Sequence, residues 1–357
     1  MKYLFCIFLF LCGAQSTVAQ KDSCDWIFIY YAPYDNDLSH FSDSILNQLS
    51  TATQYDNIRV VFQVDKDDTL GMYRYAIGPN GIKLDTIPSE ESTSSKQLTN
   101  YLDWVNQNYV FERSAVFFLD HGGGLDEVGQ DLHPDSTFLK TRDIRKSLQQ
   151  FNRKNKNQVD LLYLQVCAKS SIEPFYELHK LSKWTLASQK LLGAPNYYYN
   201  EMLRYASIGN IDHDGSSIAQ SIMGSERPDM YESLTLIDND KFDLIKSQFR
   251  NLITELSKRE EVVFKKAPKN FDYGKDRYWD LVDFLDCLIL TTQEEIQAKD
   301  ELKNSILNYL IDTKHVGAFK SDDYSGISIA ALSKDRIRAY WHMKFYRGFK
   351  FDKLPLE

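Results

Sequence analysis

Cysteine is scarce in this chain, with five among 357 residues. Cys6 and Cys12 lie in an apolar N-terminal stretch, so removal of that stretch would leave Cys24, Cys167 and Cys287. Three cysteines cannot all pair within one molecule. An odd thiol in an exported protein is a candidate reactive group.

Long apolar runs are also lacking. The stretch at residues 4–12 is far shorter than the ~20 residues that span a bilayer, and no later segment is long enough, which excludes a membrane span. Lys2 before this stretch and Thr17-Val18-Ala19 after it are typical of a secretory signal. We therefore expect residues 1–19 to be a signal peptide and the mature chain to be secreted, periplasmic or held at the cell surface. Lipid attachment at Cys12 is an alternative.

An excess of positive charge is missing as well. The formal net charge of −8 argues against a nucleic-acid partner, which would require a concentrated basic face. The short basic runs at 153–156 and 265–266 are interpreted as solvated loops. Internal repeats and low-complexity linkers are absent from the sequence, so we expect residues 20–357 to form one domain.

Two catalytic motifs are absent from the sequence. Without Gly-x-Ser-x-Gly, the chain lacks the nucleophile elbow of lipase-type esterases. Without a helical His-Glu-x-x-His, a zinc peptidase is disfavoured, and the remaining zinc alternative would use His121 with His133 and Asp131 or Asp135. We therefore expect no metal at the reactive site.

Acidic residues form two further turns. Asp65, Asp67 and Asp68 are a candidate calcium site, although their spacing is not that of an EF-hand loop. Asp35 and Asp37 are interpreted as turn caps, with the orientation of neighbouring groups as the alternative. No cofactor is expected, and calcium stays an open alternative.

Two short apolar runs end in reactive side chains. Residues 115–119 lead to Asp120-His121 and three glycines, and residues 161–166 lead to Cys167. Their β-branched and aromatic character is typical of strands buried on both faces of a parallel sheet. Because functional groups collect at the carboxyl edge of such sheets, we expect His121 and Cys167 to lie at one edge, on neighbouring strands.

Strands and helices alternate along the chain. This pattern predicts an α/β fold with a mostly parallel sheet, helices on both faces and helical additions towards the C-terminus. Strands are predicted at 25–32, 57–64, 72–77, 82–87, 115–121, 161–167, 184–188 and 325–332. Helices are predicted at 38–49, 94–108, 141–152, 171–181, 240–258, 278–291 and 300–312.

The paired side chains suit acyl transfer. A cysteine attacks a carbonyl as thiolate, which requires a nearby basic or positive group, and His121 would supply it. Glycine after the histidine allows a close approach to the backbone, and the amides of Gly122 and Cys167 could stabilise an oxyanion. The competing interpretation is that Cys167 is a small buried hydrophobic residue.

In their order and spacing, several segments resemble the clostripain family of cysteine peptidases, in the clan of caspases, legumain and gingipains. The resemblance covers most of the mature chain and implies a caspase-like sheet, with His121 as general acid/base and Cys167 as nucleophile. Its markers are residues 26–38, Asp120-His121-Gly122-Gly123-Gly124, 160–167, 172–178, 186–188 and 324–329.

The resemblance also implies a substrate pocket. Family members generally cut after arginine or lysine, with acidic residues before the cysteine and after the Ala-Ser strand end. Here Gln165 and Gln189-Lys190 stand at those places, and a cationic side chain buried without a carboxylate would be penalised by several kcal/mol. We therefore expect a neutral or acidic preference. The candidate substrate-binding residues are Gln165, Ser188, Gln189, Lys190 and Tyr197.

These observations predict a secreted, monomeric cysteine endopeptidase that acts on protein or peptide substrates through a Cys-His dyad. The alternative is a catalytically silent relative that binds peptides or glycans. The altered residues of the substrate pocket leave that alternative open.

Overall fold

The computed structural model describes residues 21–66, 71–88, 91–209, 212–225, 227, 229–230, 232–316, 323–331, 334–351 and 354. The predicted signal peptide at residues 1–19, with Cys12, lies outside these residues, as do Asp67 and Asp68 of the candidate calcium turn. None of the helices in the described part is both long and apolar enough to cross a membrane.

The strands belong to one large sheet and two small ones. They are β1 (Asp22–Tyr34), β2 (Ile58–Lys66), β3 (Met72–Gly78), β4 (Gly81–Ile87), β5 (Tyr109–Leu119), β6 (Glu127–Asp131), β7 (Thr137–Lys140), β8 (Val159–Gln165), β9 (Ser182–Ser188), β10 (Glu232–Asp238), β11 (Asn270–Tyr273), β12 (Asp276–Asp280), β13 (Leu310–Val316) and β14 (Ser328–Ala330).

The helices connect or cover these strands. They are α1 (Ser42–Leu49), α2 (Ser95–Asn108), α3 (Thr141–Asn155), α4 (Ile172–Leu178), α5 (Tyr199–Ala206), α6 (Gly215–Ser225), α7 (Phe242–Leu256), α8 (Leu281–Cys287), α9 (Gln293–Tyr309), α10 (Lys334–Ala339) and α11 (Lys344–Phe349). Short 3₁₀ turns lie at Ser39–Phe41, Ser50–Gln54 and Asn239–Lys241.

Within the described residues, the large sheet has nine strands in the order β13-β10-β9-β8-β5-β1-β2-β3-β4. Its five central strands, from β9 to β2, run parallel to one another. The outer strands on both sides pair antiparallel. The predicted mostly parallel α/β sheet is therefore confirmed.

Alternate side chains of β1 enter two separate cores. Ile27 and Ile29 pack in the core formed with α2, α3 and α4, whereas Phe28 and Tyr30 pack in the core formed with α1, α5 and α6. Successive side chains of a strand point to opposite faces of the sheet, so a strand covered on both faces is apolar throughout. This confirms the prediction of helices on both faces.

The C-terminal part differs from its predicted elements. The predicted helix at 278–291 is wrong in its first residues, which belong to β12, and α8 begins only after Asp280 caps it by accepting the Asp283 N–H at 2.9 Å. Strand β14 pairs with β12 and not with the large sheet. Strands β11, β12 and β14 thus form a separate small sheet beside the large one.

Candidate active site

The candidate site lies at the carboxyl edge of the central sheet. His121 follows closely on the end of β5, and Cys167 follows closely on the end of β8. The two strands are parallel neighbours, and their last residues, Leu119 and Gln165, lie in register. The topology therefore brings the turns that carry His121 and Cys167 side by side.

The two turns touch at Gly122. A Cβ atom on Gly122 would lie 2.1 Å from the carbonyl oxygen of Cys167 and 2.9 Å from the ring of Tyr273. A side chain cannot be accommodated at these distances, so the close approach of the two backbones requires glycine. Glycine after His121 thus allows the histidine turn to pack directly on the cysteine turn.

His121 is one-third exposed and is bound by an aspartate from the turn after β1. Its Nε2 lies 2.7 Å from Oδ1 of Asp37. The hydrogen bond from His121 holds the pKa of the Asp37 carboxyl below its usual value. The turn itself is capped by Asn36, which accepts the Leu38 N–H at 2.9 Å. Asp37 therefore has the orienting contact that the sequence analysis gave only as an alternative to capping.

A buried carboxylate fixes the backbone of the histidine turn. Asp120 accepts hydrogen bonds from the Asn36 side chain at 3.0 Å, from the Gln130 N–H at 2.8 Å and from the His121 N–H. Burial raises the pKa of Asp120 well above its usual value. The Gly129 N–H donates to the His121 carbonyl at 2.9 Å. The His121 backbone is thus held on both sides while its imidazole reaches the surface.

Cys167 is half-buried, and the backbone of Leu192 covers its sulfur. The Leu192 N–H donates to Sγ at 3.3 Å, and the Leu192 carbonyl oxygen lies 3.8 Å from the same sulfur. Burial raises the pKa of the Cys167 thiol, against the opposing effects of the Leu192 N–H and the Tyr273 hydroxyl. Formation of the thiolate therefore depends on the polar groups around the sulfur.

Tyr273, the last residue of β11, lies over both turns. Its hydroxyl accepts the Gly122 N–H at 3.1 Å and hydrogen-bonds the Cys167 sulfur. Burial raises the pKa of this tyrosine. The Gly122 amide is one of the two expected oxyanion donors, and here it is engaged by a protein group. Tyr273 cannot be assigned from local sequence, because a hairpin distant in the chain carries it.

Gln165, one of the predicted substrate-binding residues, is buried. Its amide nitrogen donates to the hydroxyl of Tyr199 at 3.1 Å and to the side-chain oxygen of Asn196. Its amide oxygen accepts from the Tyr198 hydroxyl at 2.7 Å. The side chain therefore lies in a polar cluster beneath the surface, with all of these partners inside the protein.

Ser188 and Gln189 are also buried. The Gln189 amide nitrogen donates to a carboxylate oxygen of Asp280 at 3.1 Å, and its amide oxygen accepts the Gly326 N–H at 2.8 Å. The Ser188 hydroxyl donates to the Leu191 carbonyl at 3.3 Å. Gln189 therefore ties the end of β9 to the segment before β14, whereas the Ser188 hydroxyl donates within its own turn.

Lys190 and Tyr197 keep part of their surface in contact with solvent. The Lys190 ammonium lies 4.7 Å from the centre of the Tyr324 ring, and the Arg227 guanidinium lies 4.6 Å from the centre of the Tyr197 ring. Both distances suit cation–π contacts. Of the five candidate substrate-binding residues, these two can reach a ligand without rearrangement of a buried cluster.

A sequence profile of the clostripain family matches residues 30–339, which is most of the chain. The chain belongs to the clostripain family. A secreted C11 cysteine protease from Bacteroides thetaiotaomicron, solved with an irreversible peptide inhibitor, is 16% identical at a TM-score of 0.70, over 93% of this chain and 100% of that chain. An inactive zymogen C11 protease from Parabacteroides distasonis is 17% identical at a TM-score of 0.67, over 92% of this chain and 98% of that chain. No curated protein matches the chain by sequence.

The clostripain family and both solved relatives are cysteine proteases, which confirms the predicted enzyme class. The resemblance found in the sequence is likewise confirmed. At such low identity the solved structures show a shared fold and nothing finer. The roles of individual residues therefore depend on the geometry of this chain.

The two histidines of the zinc alternative contact different carboxylates in this clostripain-family chain. His121 binds Asp37, and Nδ1 of His133 lies 2.9 Å from Asp35. Among the residues that the structure describes, no group of three or more His, Cys, Asp or Glu side chains is arranged to hold a metal ion. The candidate calcium turn at 65–68 lies partly outside the described residues and stays a prediction.

Proposed function

We propose that this chain is an exported cysteine endopeptidase with Cys167 as nucleophile and His121 as general acid/base. The observation that supports this most directly is the backbone contact of the two turns at Gly122. Both reactive side chains follow parallel neighbouring strands, at the edge where α/β enzymes bind their ligands. A thiol and an imidazole on adjoining turns are the parts that acyl transfer requires.

The reaction would begin with transfer of the Cys167 proton to His121. The thiolate attacks the scissile carbonyl carbon, a C–S bond forms, and the carbonyl oxygen becomes an oxyanion. His121 then returns the proton to the leaving amine as the C–N bond breaks. Water attacks the resulting thioester with His121 as base, which releases the acid product and restores the thiol.

The oxyanion would accept hydrogen bonds from the amides of Gly122 and Cys167. Since the Gly122 N–H donates to Tyr273 in this structure, the substrate carbonyl has to displace that hydroxyl. An exchange of one neutral hydrogen bond for another costs about 1 kcal/mol or less, which substrate binding can offset. The Tyr273 hydroxyl therefore occupies the Gly122 amide in the absence of substrate, and a substrate carbonyl can displace it.

Active-site labelling tests the nucleophile. We expect a peptidyl acyloxymethyl ketone to label the wild-type chain and Cys167→Ala to abolish labelling. Cys287→Ala is the matched control, because Cys287 is a buried thiol elsewhere in the fold. Hydrolysis of fluorogenic peptides should be lost in Cys167→Ala and in His121→Ala. A wild-type chain that neither labels nor hydrolyses, but still binds peptides or glycans, would favour the binding-module alternative.

For specificity, we propose a neutral or acidic residue on the N-terminal side of the cleaved bond. Gln165 and Gln189 offer no carboxylate, and the carboxylate beside Gln189, that of Asp280, already accepts the Ser325 and Asp283 N–H groups at 2.6 and 2.9 Å. The hydrogen-bonding capacity of Asp280 is thus used within the protein, and neither glutamine supplies a charge for a buried arginine. Lys190 would supply the opposite charge for an acidic side chain.

A panel of fluorogenic peptides that differ only at this residue tests the preference. We expect Lys190→Glu to lower cleavage after acidic residues by about tenfold. Replacing attraction by repulsion should weaken the interaction with an acidic substrate side chain by roughly 1.4 kcal/mol. Lys180→Glu, on the opposite edge of the sheet, should leave the preference unchanged. Dominant cleavage after arginine by the wild-type chain would refute the proposed specificity.

Export is proposed from the signal-like residues 1–19 and from the solved relative that is described as secreted. N-terminal sequencing of the chain recovered from outside the cytoplasm should begin near Gln20. Recovery of an intact Met1 in the cytoplasm would contradict export.

A further inference from the structure

Lys169 is a buried lysine close to the candidate nucleophile. It lies in the turn that follows Cys167, and its exposed fraction is 0%. Lysine is almost never buried to this extent without a partner, because transfer of an ammonium ion from water into protein costs several kcal/mol. The position therefore requires compensating interactions.

The ammonium group of Lys169 reaches the histidine turn. Its Nζ donates to the carbonyl oxygen of Gly124 at 2.9 Å. Lys169 thus links the turn after β8, which carries Cys167, to the glycine turn that carries His121. A carbonyl is a neutral acceptor, so this hydrogen bond alone leaves the positive charge unbalanced.

The carboxylates around Lys169 are bound by other groups. Asp126, Glu127 and Asp276 all act on its charge from a distance. Within the described part of the chain, no carboxylate forms an ion pair with Lys169. The three carboxylates accept hydrogen bonds from His342 at 2.7 Å, from Lys140 at 2.7 Å and from Tyr340 at 2.6 Å, respectively.

The remaining nearby group that can become anionic is the Cys167 thiol, when it ionises to the thiolate. Burial lowers the pKa of Lys169 to about 8, and the Cys167 thiolate is the first of the groups that oppose this shift. In return, the Lys169 charge lowers the pKa of the Cys167 thiol, which burial raises. Each buried ion thus offsets part of the desolvation cost of the other.

We propose that Lys169 is a positioning residue whose buried charge stabilises the Cys167 thiolate and holds the His121 turn against it. This rests on the proposed role of Cys167 as nucleophile. This role of Lys169 is not predictable from the sequence, because a lysine in a Cys-Ala-Lys-Ser-Ser turn has no periodic signature of burial.

The pH dependence of Cys167 alkylation by iodoacetamide tests the proposal, because the thiolate is the reacting form. We expect Lys169→Met to move the midpoint upward by about one pH unit and to slow alkylation at pH 7 about tenfold. Lys169→Gln, which keeps a hydrogen-bond donor without the charge, should shift the midpoint equally and carries the test if the Met variant does not fold. Cys167→Ala supplies the blank for other thiols.

Lys183→Met is the matched control. Lys183 also donates to a buried carboxylate, that of Asp160 at 2.8 Å, but it lies at the start of β9, at the opposite end of that strand from the candidate site, so we expect its removal to leave the midpoint in place. An unchanged midpoint in folded Lys169→Met or Lys169→Gln would overturn the proposal. An equal shift in Lys183→Met would also overturn it, since the effect would then not depend on a charge beside Cys167. Peptide hydrolysis by the wild-type chain tests the proposed function separately, because alkylation requires no turnover.

Discussion

The imidazole of His121 donates from Nε2 to Asp37 at 2.7 Å, so the neutral ring carries its lone pair on Nδ1. That nitrogen is the one that would accept the thiol proton. Asp37 would therefore act on the reaction through His121, by fixing the tautomer and by stabilising the imidazolium that forms. Its carboxylate is largely exposed, so solvent weakens the electrostatic part of this effect.

We expect Asp37→Asn to lower kcat about tenfold with little change in KM, because the substitution weakens the support of a protonated His121. Asp43→Asn, another exposed carboxylate just after the same segment, serves as control. Steady-state kinetics on one fluorogenic peptide across pH measure the effect. Equal kinetics of the two variants would contradict the proposed role of Asp37.

At the residue scale, the sequence indicated His121, Gly122 and Cys167 because each directly follows a recognisable buried strand. Asp37 was harder to assign, since an aspartate after a strand is typical of turn caps and the capping here is done by Asn36. Lys169 and Tyr273 could not be assigned, because their roles depend on contacts between segments far apart in the chain.

At the level of elements, the β11–β12 hairpin decides access to the site. The hairpin turns at Gly274, whose φ of +58° suits glycine, and this turn leaves Tyr273 over the Gly122 amide. A substrate carbonyl and the Tyr273 hydroxyl compete for the same N–H. The hairpin therefore weakens the binding of any ligand whose oxygen accepts the Gly122 N–H.

We expect Tyr273→Phe to bind a peptide aldehyde about fivefold more tightly, because one competing hydrogen bond of about 1 kcal/mol is removed. The gain should be largest at alkaline pH, since the hydroxyl also lowers the pKa of the Cys167 thiol and its loss disfavours the thiolate at neutral pH. Inhibition constants at several pH values check this. Tyr205→Phe on α5 is the control. Weaker inhibition of the Tyr273→Phe variant than of wild type at every pH would contradict the predicted competition.

The elements predicted well were those with a clear period. Strands β1, β5 and β8 are predictable because each contains a continuous apolar run, and α2 is predictable because its apolar residues recur at helical spacing. Strand β12 is absent from the predicted elements because its few residues run directly into α8, and the local pattern predicts one helix over both. Short strands stabilised by distant partners leave little signal in local sequence.

At the scale of the whole molecule, buried charges join the C-terminal part to the catalytic turns. Glu127 accepts hydrogen bonds from Lys140 at 2.7 Å, from Lys275 at 2.8 Å and from the Gly124 N–H at 2.6 Å. Burial raises the pKa of Glu127, but these donors outweigh burial and lower the pKa to about 2. The network therefore holds the β11–β12 hairpin on the histidine turn.

A carboxylate whose pKa is lower in the folded state than in the unfolded state stabilises the fold above its unfolded pKa, and this stability is lost as the pH falls from about 4.5 to about 2. We expect Glu127→Gln to lower the free energy of unfolding at pH 7 by about 2–3 kcal/mol and to differ little from wild type near pH 2. Urea unfolding at pH 7, 4 and 2 measures the difference. Glu112→Gln, at an exposed carboxylate, is the control. A loss of unfolding free energy in Glu127→Gln that is equal at all three pH values would contradict the mechanism.

The fold class is predictable from the alternation of strands and helices, whereas the one-domain interpretation, based on the lack of linkers, stays a prediction. The order of strands in the large sheet and the separate small sheet did not follow, because pairing is set by packing across the whole chain. Strand β10 illustrates this, since it joins the sheet antiparallel between β9 and β13.

Strand β4 ends the large sheet and has solvent on both faces, with Ile82 and Leu84 about half exposed. An outermost strand of this kind can template the addition of a strand from another copy, which leads to self-association. Lys83 and Asp85 alternate with the two apolar residues, and their charges oppose such strand addition. The solubility of the protein at high concentration would thus depend on two charges that belong to an edge strand and not to the candidate active site.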